Sequence, residues 1–156
     1  MFYCFMDSPV GELFLAGDQE GLKYINFPKE KKPVNPEPGW MEMPAFFTSA
    51  VSELKEYFSG KRQQFSIDIQ PEGTAFQLSV WRALQEIPYG KTVSYGELAQ
   101  QVGNPKASRA VGAANGANPI PIIIPCHRAI GASGDLTGFG GGLETKQFLL
   151  ELEKAI

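Results

Sequence analysis

The stretch Asn118-Pro119-Ile120-Pro121-Ile122-Ile123-Ile124-Pro125-Cys126-His127-Arg128 restricts the fold more than any other. Each of its three prolines lacks an amide donor, fixes its own φ and pushes the preceding residue toward extended geometry. The segment therefore fits neither a helix interior nor a central strand. Ile122, Ile123 and Ile124 read as a short buried run. The stretch delivers Cys126, and beside it the only histidine of the chain, His127, to the end of a stiff apolar lead-in. That is how a side chain is held at the floor of a pocket. A thiol with a pKa of about 8.5 is mostly protonated at neutral pH, and only the thiolate is a good nucleophile. An adjacent imidazole is the usual base, and Arg128 adds a cation able to favour the thiolate. The plain alternative is a small buried cysteine beside a core histidine.

The rest of the composition narrows the setting. A chain of 156 residues makes one or two small domains. No apolar run approaches a membrane span, and the N-terminus lacks a basic leader, so a cytoplasmic protein with no membrane partner is expected. Two cysteines far apart suit a reducing compartment rather than a disulfide framework. With one histidine there is no spaced set for structural zinc, so no metal and no cofactor are expected. The net charge of −3 argues against general nucleic-acid affinity. Its distribution points the other way: Lys91, Lys106, Arg109 and Arg128 stand against Glu97 alone within 91–128.

The first 27 residues carry short apolar stretches at 2–6, 13–16 and 22–27, punctuated by glycine-containing turns, and predict a three-stranded meander. Residues 29–39 carry three prolines and read as a loop. Pro44 opens a helix with Phe46, Phe47, Ala50, Val51, Leu54, Tyr57 and Phe58 at helical spacing, ended by Gly60. Phe65, Ile67 and Ile69 alternate as a fourth strand. Nothing in residues 1–72 looks chemical, so this part reads as an α+β scaffold domain. Residues 70–73 are the expected linker.

Residues 73–156 read as a second, mainly helical domain. Thr74 and Gln77 form a capping box, as do Ser94 and Glu97. Phe76, Val80, Leu84 and Ile87 share one face. A short helix after Ser94 turns Leu98, Ala99 and Val102 inward and stops at Gly103. Asn104 and Pro105 are expected to open the next helix, with Ala107, Ala110, Val111 and Ala114 on its inner side. Two short helices around a tight turn give a helix-turn-helix pattern, or else an ordinary helical hairpin. The second helix carries Lys106 and Arg109 among small residues, including Ala107, Ser108 and Ala110. Such a helix suits close approach to a minor groove with weak sequence preference. The six glycines within 131–142 lack the spacing of a phosphate loop. A closing helix begins near Leu143, with Phe148, Leu149, Leu152 and Ile156 as its core face. Glu151 reads as solvent-facing. Glu153, bordered by Leu149, Leu150 and Ile156, needs a buried partner or sits at a rim in water. With His127 as that partner, Cys126, His127 and Glu153 form a relay.

Pro125-Cys126-His127-Arg128 with its isoleucine-rich lead-in resembles the active-site signature of the O6-alkylguanine-DNA alkyltransferases. The resemblance runs through Gly103-Asn104-Pro105-Lys106-Ala107, Arg109-Ala110-Val111-Gly112, Asn118-Pro119 and Gly141-Gly142-Leu143. It covers most of 74–156, whereas the first 72 residues match only in general style. It implies a ribonuclease-H-like N-terminal domain and a C-terminal domain with a winged helix-turn-helix. It implies a monomer that binds double-stranded DNA and moves an alkyl group from O6 of guanine, and O4 of thymine, onto its own cysteine, once. By the same resemblance Cys126 is the acceptor and His127 its base through a water, with Glu153 orienting His127. Tyr95 assists nucleotide flipping and gives a proton toward the base. Arg109 fills the gap in the duplex, and Asn118 braces the turn before the cysteine. The backbone at Cys126 and Ala129 holds the flipped guanine. Lys106, Ala107, Ser108, Ala110 and Arg128 join the DNA contact. Where relatives often carry Tyr then Ser, this chain has Phe139 and Gly140, so a hydroxyl near the guanine oxygen is missing and the Gly140 amide takes its place. Two other readings stay open on the residues alone. One is a helix-turn-helix DNA-binding or damage-recognition module with a structural Cys126, the other a thiol hydrolase.

Overall fold

The period-two apolar pattern of the first 27 residues builds the expected meander: β1 (Phe2–Met6), β2 (Leu13–Asp18) and β3 (Gly21–Asn26). The computed structural model describes residues 1–30 and 33–156, so Lys31 and Lys32 of the expected loop lie outside the described residues. The strands pair antiparallel, with Cys4 opposite Leu15 and Leu15 opposite Ile25, all three in the core. The fourth strand is not the one expected. Residues 65–69 make a single parallel bridge, Ile69 to Leu22. The Ser66 amide donates instead to the Glu53 carboxylate at 2.9 Å, which removes it from any ladder. The fourth place falls to β4 (Met41–Glu42), parallel to β1, in the order β3-β2-β1-β4. A 3-10 turn at Pro44–Phe47 leads into α1 (Thr48–Phe58), which turns Ala50, Leu54 and Tyr57 inward and ends before Gly60 at φ 78°.

In the second half both capping boxes form with both of their reciprocal bonds. They open α2 (Ala75–Gln85) and, after β5 (Val93–Ser94), α3 (Tyr95–Gln101). Gly103 takes φ 80° just past α3. The next helix, α4 (Ser108–Gly116), begins later than Asn104 and Pro105 suggest. The Ala107 amide closes a separate turn onto the Asn104 carbonyl at 2.9 Å, and the helix starts only after it. The Trp81 indole N–H donates to the Ala114 carbonyl at 2.9 Å and locks α2 to α4. β6 (Ala129–Ile130) pairs in parallel with β5, and α5 (Leu143–Leu152) closes the chain.

The result is a mixed α+β molecule, a small sheet domain followed by a helical one. Their buried side chains form one continuous core. The Ile25 amide donates to the Pro119 carbonyl at 2.9 Å, so β3 anchors the proline-rich stretch. Among the described residues, no helix is long and apolar enough to cross a membrane.

Candidate active site

The lead-in to Cys126 folds back rather than running extended. Asn118 Oδ1 accepts from the Ile120 amide at 3.0 Å, and its Nδ2 donates to the Ile124 carbonyl at 2.7 Å. The Ile124 amide closes onto the Ile120 carbonyl at 3.0 Å. Ile122, caught inside this loop, sits at φ 76°, a region that β-branched residues rarely enter. Such a backbone costs about 1–3 kcal/mol and persists only where its surroundings over-determine it. Pro125 then leads into a 3-10 turn, Cys126–Arg128, with the Cys126 amide donating to Ile124 O at 2.7 Å. Asn115 of α4 donates Nδ2 to the Cys126 carbonyl at 3.3 Å. Two asparagines and a strained loop therefore hold the cysteine from both sides.

Behind it lies a buried charge network. His127 is wholly buried, with Nε2 2.7 Å from Glu153 Oε2. Glu153 also accepts from Arg128 Nε at 2.8 Å, from the Arg128 terminal nitrogen at 3.1 Å and from the Tyr57 hydroxyl at 2.5 Å. Burial pushes the Glu153 carboxyl up, but the donors from His127, Arg128 and Tyr57 outweigh it and bring it down to about 2. An ionised Glu153 assigns the proton to His127 Nε2 and leaves Nδ1 as the free lone pair. Nδ1 is buried and has no partner among the described residues. Burial lowers the His127 pKa, with Glu153 pulling the other way. The partner expected of Glu153 is thus in place. Glu151 is exposed, and its carboxylate accepts from Gln147 Nε2 at 2.9 Å on the surface.

Cys126 is 4% exposed, and burial pushes its thiol up to about 11, while Asn118 and Lys146 pull it down. The resting group is a thiol. Arg128 is neither its cation nor a DNA contact. The guanidinium is buried, committed to Glu153 and to the Ile87 carbonyl at 2.6 Å, and lies 5.8 Å from the Tyr89 ring centroid. The cation is Lys146, a residue the sequence motifs around Cys126 do not include. Fully buried, it donates Nζ to the Ala129 carbonyl at 2.6 Å and the Thr137 carbonyl at 2.9 Å, and burial brings it down to about 8. A signal for it was present. Lys146, Leu149, Leu150 and Glu153 follow helical spacing and are the buried face of the closing segment. Ile156, expected in that core, is 59% exposed, because the helix ends at Leu152.

Cys126 lines a narrow cavity of about 20 Å³ with Phe27, Glu30, Asn115, Asn118, Phe139 and Gly140. It shares Glu30, Asn118, Phe139 and Gly140 with a neighbouring cavity of about 510 Å³ between β3 and the end of α4. Phe139 is buried against Phe27, ring centroids 5.5 Å apart. At Gly140 a Glu30 carboxylate oxygen lies 2.8 Å from where a Cβ would stand, so that space is taken by the sheet domain. Ala129 is fully buried, its carbonyl on Lys146. Tyr95 donates its hydroxyl to the Thr137 carbonyl at 3.2 Å, and its ring lies 5.9 Å from Lys146 Nζ.

The helix-turn-helix keeps its positive side chains outward. Lys106, Arg109 and Ala110 are exposed, and Ala107 and Ser108 half-buried. Ala110, expected to face inward, joins Ala113, Gly116 and Ala117 on the open face, while Val111, Ala114 and Asn115 face the core. Among the described residues, no group of His, Cys, Asp and Glu is arranged to hold a metal.

Comparison with known proteins matches residues 1–71 to the 6-O-methylguanine DNA methyltransferase ribonuclease-like domain and residues 75–155 to the DNA binding domain of the same family. The likeness of the first 71 residues is therefore more than one of style. The chain is 56% identical over 153 residues to the methylated-DNA–protein-cysteine methyltransferase of Methanosarcina acetivorans, covering 98% of each chain. It is 51% identical over 156 residues to that of Mycobacterium tuberculosis, covering 98% of this chain and 92% of the relative. The crystal structure of Mycobacterium tuberculosis OGT in complex with DNA superposes with a TM-score of 0.93 at 49% identity, covering 99% of this chain and 94% of the other.

Proposed function

The chain belongs to the 6-O-methylguanine DNA methyltransferase family, and from that premise we propose how its residues take an alkyl group from DNA. It is a methylated-DNA–protein-cysteine methyltransferase that repairs alkylated DNA directly. The acceptor is Cys126, and the substrate is O6-alkylguanine, with O4-alkylthymine as a second one. The observation that carries this reading is the dyad directly behind Cys126, His127 Nε2 at 2.7 Å from a Glu153 held ionised.

An alkylated base inside a duplex cannot reach a cysteine that is 4% exposed, so the nucleotide flips out, at a cost of a few kcal/mol. Arg109, exposed on α4, fills the gap, and the small exposed residues of that helix let it lie in the minor groove with little sequence preference. Lys106, Ala107, Ser108 and Ala110 contact the backbone there. The base enters by the larger cavity at Phe139 and Gly140 and reaches the backbone at Cys126 and Ala129 as the narrow space at Cys126 widens around it. His127 Nδ1 takes the thiol proton through a water, and Glu153 stabilises the imidazolium. The thiolate attacks the alkyl carbon, the carbon–O6 bond breaks, and its electron pair goes to the base. Tyr95 supplies the proton the base then needs, and the proton taken up by His127 returns through water to the Tyr95 oxygen. The thioether has no route back, so each chain reacts once.

Residues 1–72 act as the scaffold and residues 73–156 carry the DNA surface and the acceptor. Action as a monomer is part of the same reading. The two separated, reduced cysteines support a cytoplasmic setting. The deciding experiment is incubation with O6-methylguanine duplex followed by peptide mass mapping. One methyl group on the peptide holding Cys126, with no further turnover, is expected. Binding without any mass gain leaves a damage-recognition module, and repeated release of product leaves a hydrolase.

A further inference from the structure

Glu153 receives a hydrogen bond that the relay described above does not use. Tyr57 lies on α1, in the sheet domain, 96 residues from Glu153 in sequence, and its hydroxyl reaches Oε2 at 2.5 Å. The same oxygen is 2.7 Å from His127 Nε2 and 3.1 Å from an Arg128 nitrogen. The Tyr57 ring is fully buried, edge-on to Phe58 and Tyr89 at centroid distances of 5.4 and 6.3 Å, and tilted against Phe65 at 5.6 Å. Packing therefore aims the hydroxyl, and solvent has no part in it.

We infer that Tyr57 is a positioning residue for alkyl transfer, one that sets from the sheet domain how strongly Glu153 favours the charged form of His127. The inference rests on the relay proposed above. A donor bonded to a carboxylate stabilises its negative charge in place and makes it less basic. A less basic Glu153 draws the imidazolium less strongly, so His127 stays neutral, and able to accept the thiol proton, to lower pH. Without the Tyr57 hydroxyl, Oε2 faces only His127 and Arg128, and His127 holds its own proton to higher pH. The acid limb of the reaction then moves up. Arg128, Lys146 and Tyr89 are the other charged or titratable groups facing this pair among the described residues, and all three stay unchanged in the test.

The test is the rate of Cys126 alkylation by free O6-benzylguanine, which removes DNA binding from the measurement, between pH 5 and 9. Tyr57→Phe is expected to raise the midpoint of the acid limb by about one pH unit, so that below the limb it reacts about tenfold more slowly than the parent. Placing 3,5-difluorotyrosine at position 57, a stronger donor of nearly the same size, should move the limb downward. Because His127 is the only histidine, its imidazole NMR signal reads the same shift directly. If Tyr57→Phe does not fold, the difluorotyrosine protein and this signal decide the matter. A uniform slowing at every pH, or an unshifted limb, would show that Tyr57 only packs. If instead Glu153→Gln leaves the parent's limb in place, the relay itself is wrong, whatever Tyr57 does.

Discussion

Cys4 and Cys126 are two buried thiols with the same resting chemistry and opposite surroundings. Each is pushed up by burial to about 11, Cys4 with added repulsion from Glu42, Cys126 with Asn118 and Lys146 pulling against burial. Cys4 sits in β1, opposite Leu15, among apolar side chains. Cys126 sits on a braced turn at a cavity floor, with the His127–Glu153 dyad behind it. On the role proposed for Cys126, the difference teaches that an acceptor cysteine need not be a thiolate at rest. What separates the two is whether a proton acceptor and a cation are in place when the substrate arrives. Well-placed reacting groups can contribute as much as about 7–11 kcal/mol of a barrier.

Four measurements break or sharpen this contrast. The largest effect is expected for Cys126→Ala, which should abolish transfer entirely, while Cys4→Ser should keep it near the parent rate. Label found on Cys4 with Cys126 unmodified would end the comparison. Next comes Lys146→Met, which keeps most of the side-chain volume and removes a buried cation that acts on the Cys126 thiol. Transfer should slow roughly 10- to 100-fold, the effect of about one to two pKa units on the thiolate that the Lys146 charge favours. A parent-like rate would mean that the dyad suffices without it.

Arg109→Ala should slow repair of duplex DNA about tenfold more than it slows reaction with free O6-benzylguanine, as a wedge offsetting part of the flipping cost would. Equal losses on both substrates would move Arg109 from the DNA surface to the fold. The smallest effect is on stability against pH. Both thiols have folded pKa values above their ordinary value, so each contributes stability that is complete below about pH 9 and lost as pH rises toward 11. Removing either cysteine should flatten this alkaline limb alike. Glu153 has a folded pKa lowered from 4.5 to about 2, so its contribution is complete above pH 4.5 and lost as pH falls toward 2. Glu153→Gln should reduce the acid limb, which Asp18 and Glu53 share, and leave the alkaline limb unchanged, as followed by thermal melting from pH 2 to 11. A Cys4→Ser protein with an altered acid limb would contradict the separation.

Much was legible in the chain itself, wherever the signal is local. The capping boxes at Thr74 and Ser94, the stop at Gly60 and the meander rest on short-range backbone chemistry, and all form. Cys126, His127 and Glu153 also announced themselves, because a lone histidine beside a thiol and a carboxylate among leucines are rare locally. Three things needed the assembled molecule. Lys146 reads as surface until Ala129 and Thr137 present their carbonyls to it. Arg128 reads as a free cation until Glu153 and Ile87 absorb it. Tyr57 reads as one more core aromatic until α1 brings it to a residue 96 positions away. The physical reason is the same each time. Sequence spacing tells which way a side chain points along its own element, but a buried polar group is defined by partners from elements far off in the chain. Only the packed tertiary structure chooses those partners.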